Sequence, residues 1–530
     1  MDILIKNARI IDGTGAPAYT ADIGIKDGRI TCIGRLNGPC AEEIDAAGRF
    51  VTPGFIDAHS HADVGIFDPV WSHQRIVQGI TTELTGHCGP SPAPNCPEQM
   101  ELLRRIYFEL TGTGKSFDWP FEDFSGWLEE VERQPLSANY GFFVGHGTIR
   151  ACVMGGKREP ASDLEIRSMQ RLLAAALEQG AMGLGLGLSM FPGAYADTRE
   201  LIALAKVVKA YDGIIASHRR DEGKTAYESV EEMIEIARAT GVRMNISHVK
   251  VTGTQNWGKG KAILNLIQRG LDEGLDLSLD AYPYLAGYTQ LFQIFPISVW
   301  GEGPSAMLAQ FRQPERRREI VQNMLDGTFD GIVCADGGAA GIQIIQCPDP
   351  RFDKKTLAQI SQEIGENPAE CAIRMIEQFG AGLMMFYFLQ KREELNEILR
   401  FPPTMVISDG TPSSGHGHPR YMGAFGEALE TLAKGAEPMP LEAVIPKMTS
   451  MPARRYRLKE RGEIAVGKIA DLVVLDWDHF RNNCTYEAPE GPSEGIDYVL
   501  LNGVVAARNG IYSGNGRGQV LRGGVSCSRR

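Results

Sequence analysis

The chain has no stretch of about 18 uninterrupted apolar residues, and its start, Met1-Asp-Ile-Leu-Ile-Lys-Asn, lacks the basic-then-apolar layout of a secretory signal. Neither a membrane span nor an export leader is expected. Positive charge is also short: the net charge is −12, with no basic patch interleaved with aromatics, which argues against nucleic-acid binding. The ten cysteines (32, 40, 88, 96, 152, 334, 347, 371, 484, 527) contain no Cys-x-x-Cys pair. Scattered through so large a chain, they fit reduced thiols in a cytoplasm better than a disulfide framework. A Gly-x-Ser-x-Gly elbow is absent, and no Ser-His-Asp set stands out. Gly183-Leu-Gly-Leu-Gly187 is wrongly spaced for a dinucleotide fingerprint and is more simply a crowded strand. Low complexity is confined to a Gly/Ser/Arg-rich tail over 514–530, which is expected to fray.

What is present is a globular composition, 43% hydrophobic and 23% charged, in 58.0 kDa, enough for a barrel with a smaller companion. Both ends are rich in β signals. Ile3–Ile11 and Asp22–Ile30 lie around Gly-rich turns, with Asp27-Gly28 as a hairpin signal. Similar runs return in Gly462–Leu475 and Asp497–Val505. A small β-sandwich domain built from 1–52 and 455–530 is expected, fixing the segment 53–454 between its two halves.

That middle segment repeats a short apolar run, a polar or Gly-rich loop and a helical stretch. Eight runs begin near Gly54, Thr81, Tyr140, Ala181, Gly213, Met244, Leu275 and Met405, and helical spacing is clear in 163–179, 198–211, 225–240 and 260–273. The alternation predicts an α/β fold, a (β/α)8 TIM-type barrel, with an insertion roughly within 285–400.

Barrel active sites lie at the C-terminal ends of the strands. Six of only ten histidines fall there: His59, His61, His87, His146, His218 and His248. In an extended chain His59 and His61 point to one side and can share an ion. With His218, His248 and Asp409 they supply enough imidazole nitrogens and a carboxylate for one or two zinc ions. Cys88, in Gly86-His-Cys-Gly, either bridges or caps such a centre or is a small buried residue; Cys96 is expected to be inert. His87 and His146 are ambiguous between supporting and purely structural roles. His416 and His418 lie in a Gly-rich loop that suits substrate contact better than metal binding, while His73 and His479 are expected to take no part. Zinc lowers the pKa of its water toward ~7 and polarises a carbonyl. The expected reaction uses that water as nucleophile and Asp409 as the base that later protonates the leaving nitrogen.

Taken together, Pro53-Gly-Phe-Ile-Asp-Ala-His-Ser-His61, Gly79-Ile-Thr-Thr, His87-Cys-Gly-Pro-Ser-Pro-Ala-Pro94, Ser247-His-Val-Lys250, Asp280-Ala-Tyr-Pro-Tyr284, Ser408-Asp-Gly410, His418-Pro-Arg420 and Gly467-Lys-Ile-Ala-Asp-Leu-Val-Val-Leu-Asp476 resemble the amidohydrolase superfamily, and within it the N-acyl-D-amino-acid deacylases (D-aminoacylases), nearly end to end. The resemblance implies zinc-dependent hydrolysis of N-acyl-D-amino acids to a carboxylate and a free D-amino acid. It implies that Cys88 replaces a metal-bridging carboxylated lysine, for which the fourth strand offers no candidate. His59 and His61 would hold one metal position shared with Asp409; Cys88, His218 and His248 would hold the other, tighter one. Arg420 is implied as the grip on the substrate carboxylate, because a guanidinium makes two parallel bonds to it, with Lys250 and Tyr282 as its partners. Leu285-Ala-Gly-Tyr-Thr-Gln290 replaces the family's hydroxyl-rich run, His87 stands where relatives often carry asparagine, and Glu83 is an unusual charge on the second strand.

The rival enzyme class is a cyclic-amide hydrolase of the hydantoinase or dihydroorotase kind, against which the missing lysine counts. A barrel that has lost its chemistry is disfavoured by the intact ligand types. The expected partner is a small-molecule substrate, with neither nucleic acid nor membrane, and a homo-oligomer is compatible with the sequence.

Overall fold

The structure, a computed structural model, describes residues 1–111, 118–301, 303–412 and 417–523. Eight parallel strands form its centre: β1 (Phe55–Asp57), β2 (Ile80–Thr85), β3 (Asn139–Phe142, resumed as Val144–Gly145), β4 (Gly183–Gly187), β5 (Ile214–His218), β6 (Arg243–Ile246), β7 (Leu277–Ala281) and β8 (Thr404–Val406). Each pairs with the next in parallel. A parallel bridge between Ser60 and Gly410 brings the continuation of β1 beside that of β8, so the ring closes as a TIM-type barrel. Each expected apolar run supplies one strand. All six residues of β2 and all five of β4 and β7 are buried, which is why these strands do not alternate in polarity.

Helices Asp163–Glu178, Thr198–Ala210, Ala226–Thr240 and Gly260–Asp272 lie within a residue of their expected bounds. The first begins in a capping box between Ser162 and Glu165 and buries Ile166, Met169, Leu173 and Leu177, one face of a helix.

Strands from both chain ends make one nine-stranded sheet. Phe50–Pro53 pairs in parallel with Ile3–Ile10 and antiparallel with Leu472–Leu475, joining the two ends. The alternation of side chains divides the sheet's labour: Leu472 and Val474 enter a core with Ile5, Ile23 and Val51, while Val473 and Leu475 enter the barrel's core. Asp27 and Gly28 both take positive φ, +50° and +77°, as a tight primed hairpin turn needs. The last described strand, Val520–Leu521, pairs with β3 instead. Residues 524–530 of the expected fraying tail lie outside the described residues, as does His416.

Between β7 and β8 the chain builds a three-stranded antiparallel sheet, Ala286–Gln290, Met384–Phe388 and Ile342–Ile345, with helices around a separate hydrophobic core that includes Phe295, Phe311, Ile373 and Met385. No helix of the described residues is long and apolar enough to cross a membrane.

Candidate metal centre

Past Asp57 the chain bends at Ala58 and His59 and is then held between the ends of β2 and β8. Ser60 N donates to Leu84 O, His61 N to Gly410 O, and Asp409 N to His59 O. Alternation then sends His59 and His61 inward and Ser60 outward, where its hydroxyl donates to Glu83 at 2.8 Å. The unusual charge on β2 is therefore part of the support. Arg75 donates to Glu83 at 3.1 Å and also to Asp57, which accepts from Ser408 N and Oγ. All four side chains are buried, and they tie the base of His59 and His61 to that of Asp409.

Cys88 arrives on the loop after β2. At Gly187 a Cβ would sit 2.1 Å from Cys88 O, and at Gly185 2.3 Å from Gly86 O. The glycines of β4 are thus what lets this loop press into the barrel mouth, and no longer side chain fits at those two positions. Cys88 itself holds φ +58°, His248 +34° and Asp409 +49°. Three non-glycine residues in this costly region, all at one site, is the pattern of backbone strain held for function.

The side chains converge. Cys88 Sγ lies 3.4 Å from His59 Nε2 and 3.6 Å from His248 Nε2. Asp409 Oδ1 lies 3.0 Å from His61 Nε2 and 3.4 Å from His59 Nε2. The donor atoms form two sets, His59–His61–Cys88–Asp409 and Cys88–His218–His248, each within 4.8 Å, and Cys88 belongs to both. Burial pushes His59 and His218 well below the usual imidazole range, leaving neutral rings with free lone pairs. Burial, then the Asp409 charge, pushes the Cys88 thiol well above its usual value. Ser189 Oγ takes His218 Nε2 at 2.8 Å, and His218 Nδ1 has no hydrogen-bond partner among the described residues. Neutral nitrogens, one sulfur and one carboxylate oxygen facing one another fit zinc, which takes all three donor types.

The residues expected to bind substrate share a cavity of about 290 Å³ with five of the six metal-ligand candidates, all but His59. Arg420 and Lys250 lie over the Tyr282 ring, with Cζ and Nζ 4.9 and 5.5 Å from its centroid. Neither cation is free: Arg420 Nη1 donates to Asp409 Oδ2 at 2.8 Å, and Lys250 Nζ lies 2.7 Å from Glu222 Oε2.

Glu222 was not anticipated. It accepts from His248 Nδ1 at 2.8 Å, which leaves Nε2 to face Cys88. Burial would raise its pKa, but Lys250 and then His248 hold it well below the carboxylate range. Its signal was the ionisable run His218-Arg-Arg-Asp-Glu222 after β5. Asp280, also outside the expected set, accepts from His248 N and Asn245 Nδ2 and is pushed up to about 6 by burial.

The remaining histidines separate by their contacts. His87 stacks on His59 at 4.2 Å, with neither ring nitrogen hydrogen-bonded among the described residues. His146 is bonded to buried Glu200 at 2.7 Å, a structural tie. His418, expected to touch substrate, spends both nitrogens on backbone: Nδ1 accepts from Arg420 N and Nε2 donates to Ala286 O, each at 3.0 Å. It fixes the start of the Arg420 helix against the inserted sheet. His73 stacks on Tyr512, and His479 is exposed beside Asp476.

The family model described as "Amidohydrolase family" matches residues 42–340 and 395–507, and "Urease alpha-subunit, N-terminal domain" matches 1–51. The chain is 33% identical to a D-aminoacylase of Alcaligenes xylosoxydans xylosoxydans, over 98% of this chain and 97% of that one. It is 34% identical to an N-acyl-D-glutamate deacylase of the same organism, over 95% and 93%. Among solved structures, an N-acyl-D-glutamate deacylase of Bordetella bronchiseptica, complexed with zinc and a phosphonate mimic of the tetrahedral intermediate, superposes with a TM-score of 0.82 at 32% identity, covering 98% of this chain and 99% of that one. With the fold and two donor sets joined at a cysteine, this similarity over nearly the whole length places the chain in the D-aminoacylase group of the amidohydrolase family.

Proposed function

We propose that this chain hydrolyses the amide bond of N-acyl-D-amino acids, giving a carboxylate and a free D-amino acid, with one or two zinc ions held by His59, His61, Cys88, His218, His248 and Asp409. The observation that carries the reading is the meeting of both donor sets at Cys88, in a cavity that also holds Arg420, Lys250 and Tyr282.

Bound zinc supplies acidified water and carbonyl polarisation. The chain's own residues do the rest. Asp409 is ionised, because Arg420 and His61 outweigh the burial that would raise its pKa, so it starts as the base. It accepts the proton of the attacking water and returns it to the leaving nitrogen. Arg420 and Lys250, on the Tyr282 ring, offer positive charge to the α-carboxylate and so fix which face of the amide meets Asp409.

The reading extends to organisation. The small domain is assigned to 1–52 and 455–530, read as a sandwich because the terminal sheet encloses its own core, although Val520–Leu521 crosses to β3 and 524–530 lie outside the described residues; the barrel is assigned to 53–454, with the insertion roughly within 285–400. The nine described cysteines are free thiols, which supports a cytoplasmic setting. Homo-oligomerisation is tested by sedimentation of the zinc-loaded chain.

The deciding experiment is amine release by zinc-loaded protein from matched N-acetyl-D- and N-acetyl-L-amino acids, with hydantoin and dihydroorotate alongside. Turnover confined to the D series is expected. Ring opening, or turnover of the L series alone, would discard the substrate assignment.

A further inference from the structure

The relatives divide among a D-aminoacylase and deacylases of N-acyl-D-glutamate and N-acyl-D-aspartate, so similarity leaves the amino acid's side chain open. The charges lining the cavity bear on it. Three permanent cations line it among the described residues: Arg220, Lys250 and Arg420. Lys250 and Arg420 converge on one ring, Tyr282, and so make a single positive locus, suited to the one carboxylate that every N-acyl-amino acid carries. Lys250 and Arg420 are paired with carboxylates of the same wall, Glu222 and Asp409, whereas Arg220 is satisfied by groups outside it. Its Nε and Nη2 donate to Glu232 at 2.7 and 3.0 Å, and Nη2 also to Ala196 O at 2.6 Å.

The rest of the wall carries no compensation for a second negative charge. Met190, Tyr288, Tyr387 and Leu389 offer apolar surface, and Thr252, Thr289 and Gln293 are neutral. Asp221 lines the same cavity; its oxygens accept from Gly223 N and Thr225 Oγ1, with no ion pair among the described residues. A carboxylate on the substrate's side chain would be desolvated against this wall without a partner, beside a fixed like charge.

Resting on the deacylase reading, we infer that this enzyme selects N-acyl-D-amino acids with uncharged, largely apolar side chains and discriminates against those of D-glutamate and D-aspartate. The discrimination comes from the absence of a second positive locus on the cavity wall, together with Asp221.

The test is kcat/KM of the zinc-loaded full-length protein, read by amine release, for the N-acetyl derivatives of D-leucine, D-methionine, D-phenylalanine, D-glutamate and D-aspartate. The best uncharged substrate is expected to exceed both acidic ones by ~100-fold, equivalent to ~2.7 kcal/mol. A ratio of ten or more upholds the inference. A smaller ratio, or a preference for either acid, overturns it while the deacylase reading stands. No turnover of any D derivative fails that reading and takes this inference with it.

Discussion

Arg420 Nη1 lies 2.8 Å from Asp409 Oδ2, while the other oxygen of the same carboxylate faces His61 Nε2 at 3.0 Å. The guanidinium assigned to the substrate's carboxylate is therefore also the counter-charge of the group assigned to carry the proton. On that assignment, a substrate carboxylate entering over Tyr282 would compete with Asp409 for the same donors. Binding and proton transfer would then be coupled through one side chain.

Replacing each partner separates the two roles. Asp409→Asn should lower kcat by ~10³-fold, the scale of a lost acid–base group. Arg420→Ala should raise KM for N-acetyl-D-amino acids by ~10–100-fold, the value of charge-assisted bonds, with kcat changed far less. N-acetyl-D-amino-acid amides, which lack the carboxylate, should barely notice the arginine's loss. A fall in kcat matching that of Asp409→Asn at unchanged KM would mean that Arg420 acts through Asp409 alone.

Cys88 is the one donor common to both sets, so Cys88→Ala should lower bound zinc and also slacken whatever remains. Elemental analysis gives the stoichiometry. Chelation should lower the unfolding temperature of the unaltered protein, since a ligand that binds only the native state stabilises it; in the variant the chelator-induced drop should shrink. Unchanged zinc content and activity would remove Cys88 from the centre.

Much of this was legible in the sequence because the barrel's pattern is local. Eight apolar runs mark eight strands, and four helices fall within a residue of their expected ends. His59, His61, Cys88, His218, His248 and Asp409 could be gathered because each lies at or just past a strand end. Glu222 and Asp280 were passed over because carboxylates are common and only their pairing across the barrel mouth marks them. The backbone contacts of His418 were only half legible: Arg420 N is two residues away, but Ala286 O lies 132 residues off, in the inserted sheet. The β4 glycines could be seen as a crowded strand, but not that Cys88's loop was the crowd.

Arg75 holds two buried carboxylates, Asp57 and Glu83, beneath the metal-ligand candidates. Arg75→Met keeps the side chain's volume roughly but strands both charges, so a loss of ~3–5 kcal/mol is expected. Calorimetry of the zinc-loaded proteins should show the unfolding temperature falling by several degrees. A shift within experimental error would mean the network is not a support.

Lys447 gives a pH signature. Its ammonium is buried, donating to Phe401 O at 2.8 Å and Thr404 O at 3.2 Å at the foot of β8, and burial pulls its pKa down to about 8. The unfolded chain, with a lysine pKa near ~10.4, binds this proton more tightly than the native state. Stability should therefore rise with pH between about 8 and 10.4 and lose that gain as pH falls back through 8, by at most ~2–3 kcal/mol. Denaturant midpoints of the unaltered chain and of Lys447→Met across that window isolate the effect: the stability of the unaltered chain minus that of the variant should rise with pH. A constant difference would mean that the lysine keeps its ordinary pKa in the fold.

Glu222 tests whether the centre is positioned from outside. It takes His248 Nδ1 at 2.8 Å and Lys250 Nζ at 2.7 Å, so one carboxylate sets both the tautomer of a ligand candidate and the place of a substrate cation. Glu222→Gln keeps the size but removes the charge. A glutamine oxygen can still accept one of these bonds, but it no longer neutralises Lys250, whose ammonium then sits 2.8 Å from His248 Nδ1 with nothing to oppose it. Zinc affinity, measured by chelator competition, should fall ~10–100-fold, the usual effect of losing the partner that orients a metal-bound histidine. Saturating zinc should restore most of kcat, and Glu222→Asp should recover part of the affinity. Those two recoveries distinguish positioning from chemistry, because zinc added in excess can repair a loosened ligand but cannot replace a group that handles the proton. If kcat stays low at saturating zinc, Glu222 acts on the substrate itself; if zinc affinity is unchanged, His248 is held by Asp280 and the strained backbone alone.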